Sequence, residues 1–264
     1  MITELVLLGL VLLFGIPSLL LYLLQHKIIF APQYYGRRRL FAEFPDRYRP
    51  LELQVEKGVV LEGVVYEPEE MAATTMLYFG GREQDSVTLI GKLSLQYPGV
   101  RIVSFNYRAY GKSSGVPSEA AYHGDALKIY DFVVDHYGVP TVLGYSLGSN
   151  IAVHTAVRRS PKELILVAVF ESVQALSRAK FKPLPRVFIK HRFETIREIA
   201  GVKVPFYMYV AKDDGFVPIK QARKLKAAAN AASLVDYKEY EGYNHAQLLF
   251  SEEVTEEITK VLES

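Results

Sequence analysis

Cysteine is absent from the chain. Disulfides, thiolate metal sites and a cysteine nucleophile are thereby excluded, although the compartment stays open because oxidising and reducing environments both tolerate a thiol-free protein. Strong charge of either sign is also lacking. The formal net charge is +2, and the Lys and Arg residues are scattered rather than gathered into a basic stripe interleaved with aromatics, so no nucleic-acid partner is expected. No His, Asp or Glu cluster has ligand spacing, so neither a metal nor another cofactor is expected. Internal repeats and low-complexity tracts are missing too. At 264 residues the chain suffices for one large domain with a buried core, and is short for two.

Charge is wholly absent from residues 5–25, a run dominated by Leu, Val, Ile and Phe that closes on His26 and Lys27. Its length, about 20 residues at ~1.5 Å rise each, matches the ~30 Å hydrocarbon core of a bilayer. A cleaved signal peptide wants a basic n-region and a small-residue cleavage site; only Met1 to Glu4 precede the run, without Lys or Arg, and Ala31 is followed by Pro32. Residues 1–27 therefore read as one uncleaved transmembrane anchor. Lys27, Arg37, Arg38 and Arg39 follow it, and the positive-inside rule puts the rest of the chain on the cytoplasmic face of a single-pass membrane protein. Residues 28–50 form a connector rich in Pro and Arg, and residues 51–264 the main domain.

Two β-patterned runs, 51–55 and 59–66, flank Glu56, Lys57 and Gly58 and read as a hairpin. Apolar runs follow at 75–79, 101–105, 141–144, 164–170, 206–211 and 234–240. Amphipathic stretches at 85–97, 118–137, 147–159, 218–229 and 252–262 separate or follow them. Such alternation implies right-handed crossovers and an α/β architecture: a mostly parallel eight-stranded sheet with an antiparallel start and helices on both faces. Residues 172–203 interrupt the pattern with Pro, Lys, Arg and Phe, and read as a small cap over the C-terminal edge of the sheet, where open α/β sheets hold ligands.

Gly144, Ser146 and Gly148 form G-x-S-x-G. By composition alone this pattern turns up in about one chain in ten of this length. Its setting is more specific, because an apolar strand runs into Gly144 and a helix starts after Ser146. That is the sharp strand-to-helix turn that presents a nucleophilic serine, with glycines where side chains would collide and a helix N-terminus beneath the developing oxyanion. A nucleophilic serine needs an imidazole to take its proton and a carboxylate to orient that imidazole. His245, in a loop after the last strand, follows an acid at a strand end. His26, His123, His136, His154 and His191 fall in helices, at the anchor's end or in the cap. For the acid, Asp213 and Asp214 both lie just past the strand at 206–211, and spacing does not separate them.

The sequence F-N-Y-R-A-Y-G-K-S-S-G-V-P-S-E at residues 105–119 is similar to the D-Y-R-G-Y-G-x-S-x-G-x-P-S-E motif of the α/β-hydrolase superfamily. Within that superfamily the chain resembles the N-terminally membrane-anchored, serine-aminopeptidase-like hydrolases, over residues 27–264. The resemblance implies the α/β-hydrolase fold and carries the family's D-x-x-V-P onto Asp214 to Pro218, so it selects Asp214 as the acid. Its G-x-x-H falls on Gly242 to His245. By position it implies an oxyanion hole from the backbone N–H groups of Gly81 and Leu147. The chain departs from the family where His-Gly becomes Phe79-Gly80, where Asn106 replaces Asp, and where Ala109 replaces Gly.

The residues together imply a serine hydrolase that cleaves esters or thioesters through Ser146, His245 and Asp214. Lipid-derived or acylated-protein substrates are favoured by the expected membrane anchor, which on this reading supplies location and not chemistry. Peptidase activity of the aminopeptidase type is the enzymatic alternative, disfavoured by a basic cap with no acidic pocket for a substrate amine. A non-catalytic membrane-tethered binding protein is the alternative outside enzymes.

Overall fold

The computed structural model describes residues 15–32, 45–180 and 189–264, together with Glu4 and Gly9. Strands β1 (Tyr48–Glu56) and β2 (Val59–Tyr66) form the antiparallel hairpin, with Gly58 at a φ of 77° in its turn. β1 starts before residue 51 and takes in Pro50, which is tolerated because β1 lies at the sheet edge, where a missing N–H breaks no ladder on the open side. The remaining strands are β3 (Thr75–Phe79), β4 (Arg101–Phe105), β5 (Thr141–Tyr145), β6 (Leu164–Val167), β7 (Phe206–Ala211) and β8 (Leu234–Tyr240). Their order is β1-β2-β4-β3-β5-β6-β7-β8, antiparallel for the first two pairings and parallel from β4 onward. β6 stops at Val167 although the apolar run continues to Phe170, because Ala168 turns the backbone to a φ of 53°.

β3, β5 and β6 are buried at every position, which is why they read as unbroken apolar runs rather than alternating ones. The alternation survives in three dimensions. Leu77, Val103, Val142 and Leu166 join one apolar cluster, while their neighbours Met76, Ile102, Leu143 and Ile165 join another on the opposite face. Helices α3 (Glu119–Tyr137) and α4 (Leu147–Arg158) cover the first face. α2 (Ser86–Gln96) covers the second, together with a C-terminal helix, Glu252–Leu262. This is the α/β-hydrolase fold.

At the N-terminus, helix α1 spans Ile16–Ile29, and its 14 residues correspond to ~21 Å. Among the described residues no helix is long and apolar enough to cross a membrane. Most of the expected span before Gly15 lies outside the described residues, as do Arg37, Arg38 and Arg39. α1 runs past the expected boundary at residue 27 and ends against the main domain, with Gln25, Ile29 and Phe30 buried. In the insertion, α5 (Val173–Lys180) and the short α6 (Thr195–Glu198) are described, and residues 181–188 of the expected cap are not.

Candidate active site

Ser146 stands between β5 and α4 with φ 52° and ψ −116°, a strained conformation for a residue with a Cβ. Its N–H donates to the Val167 carbonyl at 3.0 Å, which fixes the turn to β6. The flanking glycines are steric requirements. A Cβ on Gly144 would come within 2.5 Å of the Gly148 carbonyl oxygen, and one on Gly148 would overlap the Phe79 carbonyl. The turn nevertheless leaves Ser146 only 6% exposed, less open than a bare strand-to-helix turn suggests.

His245 opens helix α7 (His245–Leu248), which follows β8. Asn244 and Gln247 cap that helix reciprocally, each side chain bonded to the other's backbone N–H. His245 Nε2 is 2.9 Å from Ser146 Oγ, and His245 Nδ1 is 2.6 Å from Asp214 Oδ2. A carboxylate only accepts, so the short contact puts the imidazole proton on Nδ1 and leaves the Nε2 lone pair facing the serine hydroxyl. The other oxygen of Asp214 accepts the N–H groups of Phe216 and Val217 at 2.7 and 2.8 Å, so the carboxylate cannot swing away from the ring. Tyr145 Oη donates to the His245 carbonyl at 2.8 Å, and the Phe216 ring lies 5.1 Å from the imidazole. Asp213 points elsewhere. It is exposed and accepts the Gly242 N–H at 2.9 Å. Glu171, another carboxylate beyond a strand, is ion-paired with Lys224.

On the opposite side of Ser146, Leu147 begins α4 and the loop of residues 80–84 follows β3. Gly81 N–H donates to Gln84 Oε1 at 2.7 Å, and that oxygen also accepts from Tyr78 Oη at 2.6 Å. Tyr107 Oη donates to the Gly80 carbonyl and Tyr110 Oη to that of Arg82, at 2.8 and 2.6 Å. Burial, the largest influence on each phenol, raises Tyr78 and Tyr107 well above the usual tyrosine range and pushes Tyr110 up to about 12, so all three keep their protons. Three tyrosines and a glutamine thus fix the loop that follows Phe79, the position where the hydrolases it resembles carry His. Sequence reasoning missed Gln84, Tyr110 and Tyr145, for only tertiary contacts reveal them. Asn106 receives the Ser86 N–H on Oδ1 at 2.8 Å and donates through Nδ2 to Asp85 at 2.9 Å and Glu62 at 3.3 Å, a role an aspartate could not fill.

Two hollows meet at Ser146. One, about 240 Å³, is bordered by Leu147, Phe170, Val173 and Leu176 and by Ile28 and Ile29 at the end of α1. The other, about 360 Å³, opens past Tyr145, His245 and residues 81–84. Among the described residues no group of three or more His, Asp or Glu is arranged to hold a metal ion.

Comparison with known proteins gives the same fold. A family model described as alpha/beta hydrolase fold matches residues 80–181. An uncharacterized protein of Mycobacterium tuberculosis is 31% identical over 157 residues, which cover 57% of this chain and 56% of that protein. Lysophosphatidylserine lipase ABHD12 of Xenopus tropicalis is 30% identical over 163 residues, covering 53% of this chain and 42% of the lipase. The chain thus spans about half the length of the curated relatives it matches. Among solved structures, the Pyrococcus furiosus esterase Pf2001 superposes with a TM-score of 0.69 at 16% identity, over 89% of this chain and 97% of the esterase. An alpha-beta hydrolase from Vibrio vulnificus does so with a TM-score of 0.72 at 16% identity, over 89% and 91%.

Proposed function

We propose that the protein is a serine hydrolase that cleaves carboxylic esters or thioesters of apolar acyl groups through an acyl-enzyme. The reading rests on the unbroken path Asp214–His245–Ser146, with contacts of 2.6 and 2.9 Å at the turn. In the first half-reaction Ser146 Oγ attacks the acyl carbon while its proton passes to His245 Nε2; Asp214 stabilises the resulting imidazolium. The oxyanion is held by the Leu147 N–H at the start of α4 and by the Gly81 N–H, which turns from Gln84 as charge develops. His245 then protonates the leaving alcohol or thiol, and water repeats the cycle on the acyl-enzyme. The lipase and esterase names of the relatives agree with an apolar acyl group, and the hollow beside Leu147 offers space for one.

The membrane context belongs to the same proposal. The uncharged run of residues 5–25 holds the protein in a bilayer with its catalytic domain on the cytoplasmic face, close to lipid or acyl-protein substrates. Digestion of the domain by protease added to intact cells would reverse that orientation.

A fluorophosphonate probe tests the chemistry. Wild type should label and hydrolyse p-nitrophenyl esters, and Ser146→Ala should do neither while staying folded. A folded wild type that neither labels nor turns over ester is a binding protein, and the proposal is then wrong.

A further inference from the structure

The end of α1 does not hang free of the domain it precedes. Phe30 is almost fully buried, with ring centroids 5.2 Å from Tyr122, 4.9 Å from His191 and 6.1 Å from Phe193. Gln25 Oε1 accepts the Lys190 N–H at 2.7 Å, and His26 Nε2 lies 3.1 Å from the Pro117 carbonyl. Ala31 N–H donates to Tyr110 Oη at 3.0 Å, and that hydroxyl in turn donates to the Arg82 carbonyl at 2.6 Å. Arg82 returns the contact, its guanidinium donating to the Ile28 carbonyl. The last carbonyls of a helix have no partner within it and carry the negative end of the dipole, so a cation is well matched there. The loop beside Ser146 and the end of α1 therefore hold each other in both directions.

This clasp has a chemical consequence, because Ile28 and Ile29 border the more apolar of the two hollows that meet at Ser146. With Leu147, Phe170, Val173 and Leu176 they line the open-sided hollow of about 240 Å³, whose border includes Arg82 and carries no carboxylate. At the ~30 Å³ that a water-sized group occupies, it holds on the order of eight methylene-sized groups. We infer that the end of α1 is the acyl-selecting wall of the active site: Ile28 and Ile29 set the length of straight acyl chain the enzyme accepts, and Arg82 and Tyr110 hold that wall in place. The inference rests on the serine-hydrolase reading above. It changes the part assigned to the N-terminal segment from location alone to substrate selection.

The test is a chain-length profile of p-nitrophenyl esters, from acetate to laurate, on full-length protein in mild detergent. Ile28→Trp fills the hollow. It should lower kcat/KM for the octanoate at least tenfold while the acetate stays within about threefold, which moves the optimum to shorter chains. Ile28→Ala enlarges the hollow and should raise laurate relative to butyrate at least threefold; it serves as the readout should the tryptophan variant not fold. Leu23→Ala, on an exposed turn of the same helix, should leave the profile unchanged. A profile that stays the same in both Ile28 variants, or that falls by one factor at every length, overturns the inference while leaving ester hydrolysis intact. Loss of the serine-hydrolase reading would appear differently, as wild type without turnover or labelling.

Discussion

Asp213 and Asp214 share a chemistry and differ in everything around them. The buried carboxylate of Asp214 holds the imidazole on one oxygen and two backbone N–H groups on the other, whereas the exposed Asp213 only ties down Gly242. Loss of the orienting carboxylate leaves the imidazole in the wrong tautomer, which in a well-studied serine protease costs about four orders of magnitude. Asp214→Asn is therefore expected to lower kcat by a factor on the order of 10³ to 10⁴, and Asp213→Asn by less than about tenfold. Steady-state kinetics on one short ester decides it, and reversed costs would move the acid to Asp213. Asn106 gives a second test at this scale. An aspartate there keeps the bond to Ser86 but sets a buried negative charge against Asp85 and Glu62. Asn106→Asp should cost about 2–4 kcal/mol at neutral pH. Urea unfolding of the two proteins measures it, and equal stabilities would show that the amide is not needed.

At the scale of elements, the sheet was legible because buried parallel strands are apolar runs and the helices between them are amphipathic. The turn at Ser146 was legible because its glycines are steric necessities with a fixed spacing. Contacts across the fold were not legible. Gln84 reaches Gly81 in its own loop and Tyr78 at the end of β3, but Tyr110 reaches Ala31, 79 positions away, and no local periodicity encodes that. Helices α3 and α4 carry another such contact. His123 stacks on His154 at 3.8 Å, its Nε2 bonded to Asn150, with Glu198 and Arg158 behind His154 and the Phe193 ring at its edge. Burial, and then the neighbouring His154, depress His123 to about 4. A histidine held neutral in the folded state binds fewer protons than in the unfolded chain, so its contribution is whole above the unfolded pKa of ~6.5 and drains away as pH falls toward 4. Stability should drop by on the order of 1 kcal/mol per pH unit in that window, and His123→Gln should flatten the slope. Parallel slopes for the two proteins would show that other groups govern acid stability.

For the whole molecule, the question is where the folded unit begins. Composition puts the boundary at residue 27, where the uncharged run meets its first basic residue. Packing puts it earlier, since Gln25, Ile29 and Phe30 are buried against the domain and Ile28 borders the hollow at Ser146. Burying a large apolar side chain stabilises by about 1.5–3 kcal/mol, so Ile29 and Phe30 together are worth roughly 3–6 kcal/mol, a large part of the stability of an ordinary domain. Two truncations separate the boundaries. A protein beginning at Gly15 retains the whole docked segment and should match full-length protein in melting temperature and in hydrolysis of soluble octanoate. A protein beginning after Pro32 loses the buried side chains, the clasp on Arg82 and one wall of the hollow; it should melt at least 5 °C lower, and any folded fraction should turn over octanoate at least tenfold more slowly. Equal melting and equal octanoate turnover in the two truncations would return the boundary to where composition puts it and leave the helix as a tether.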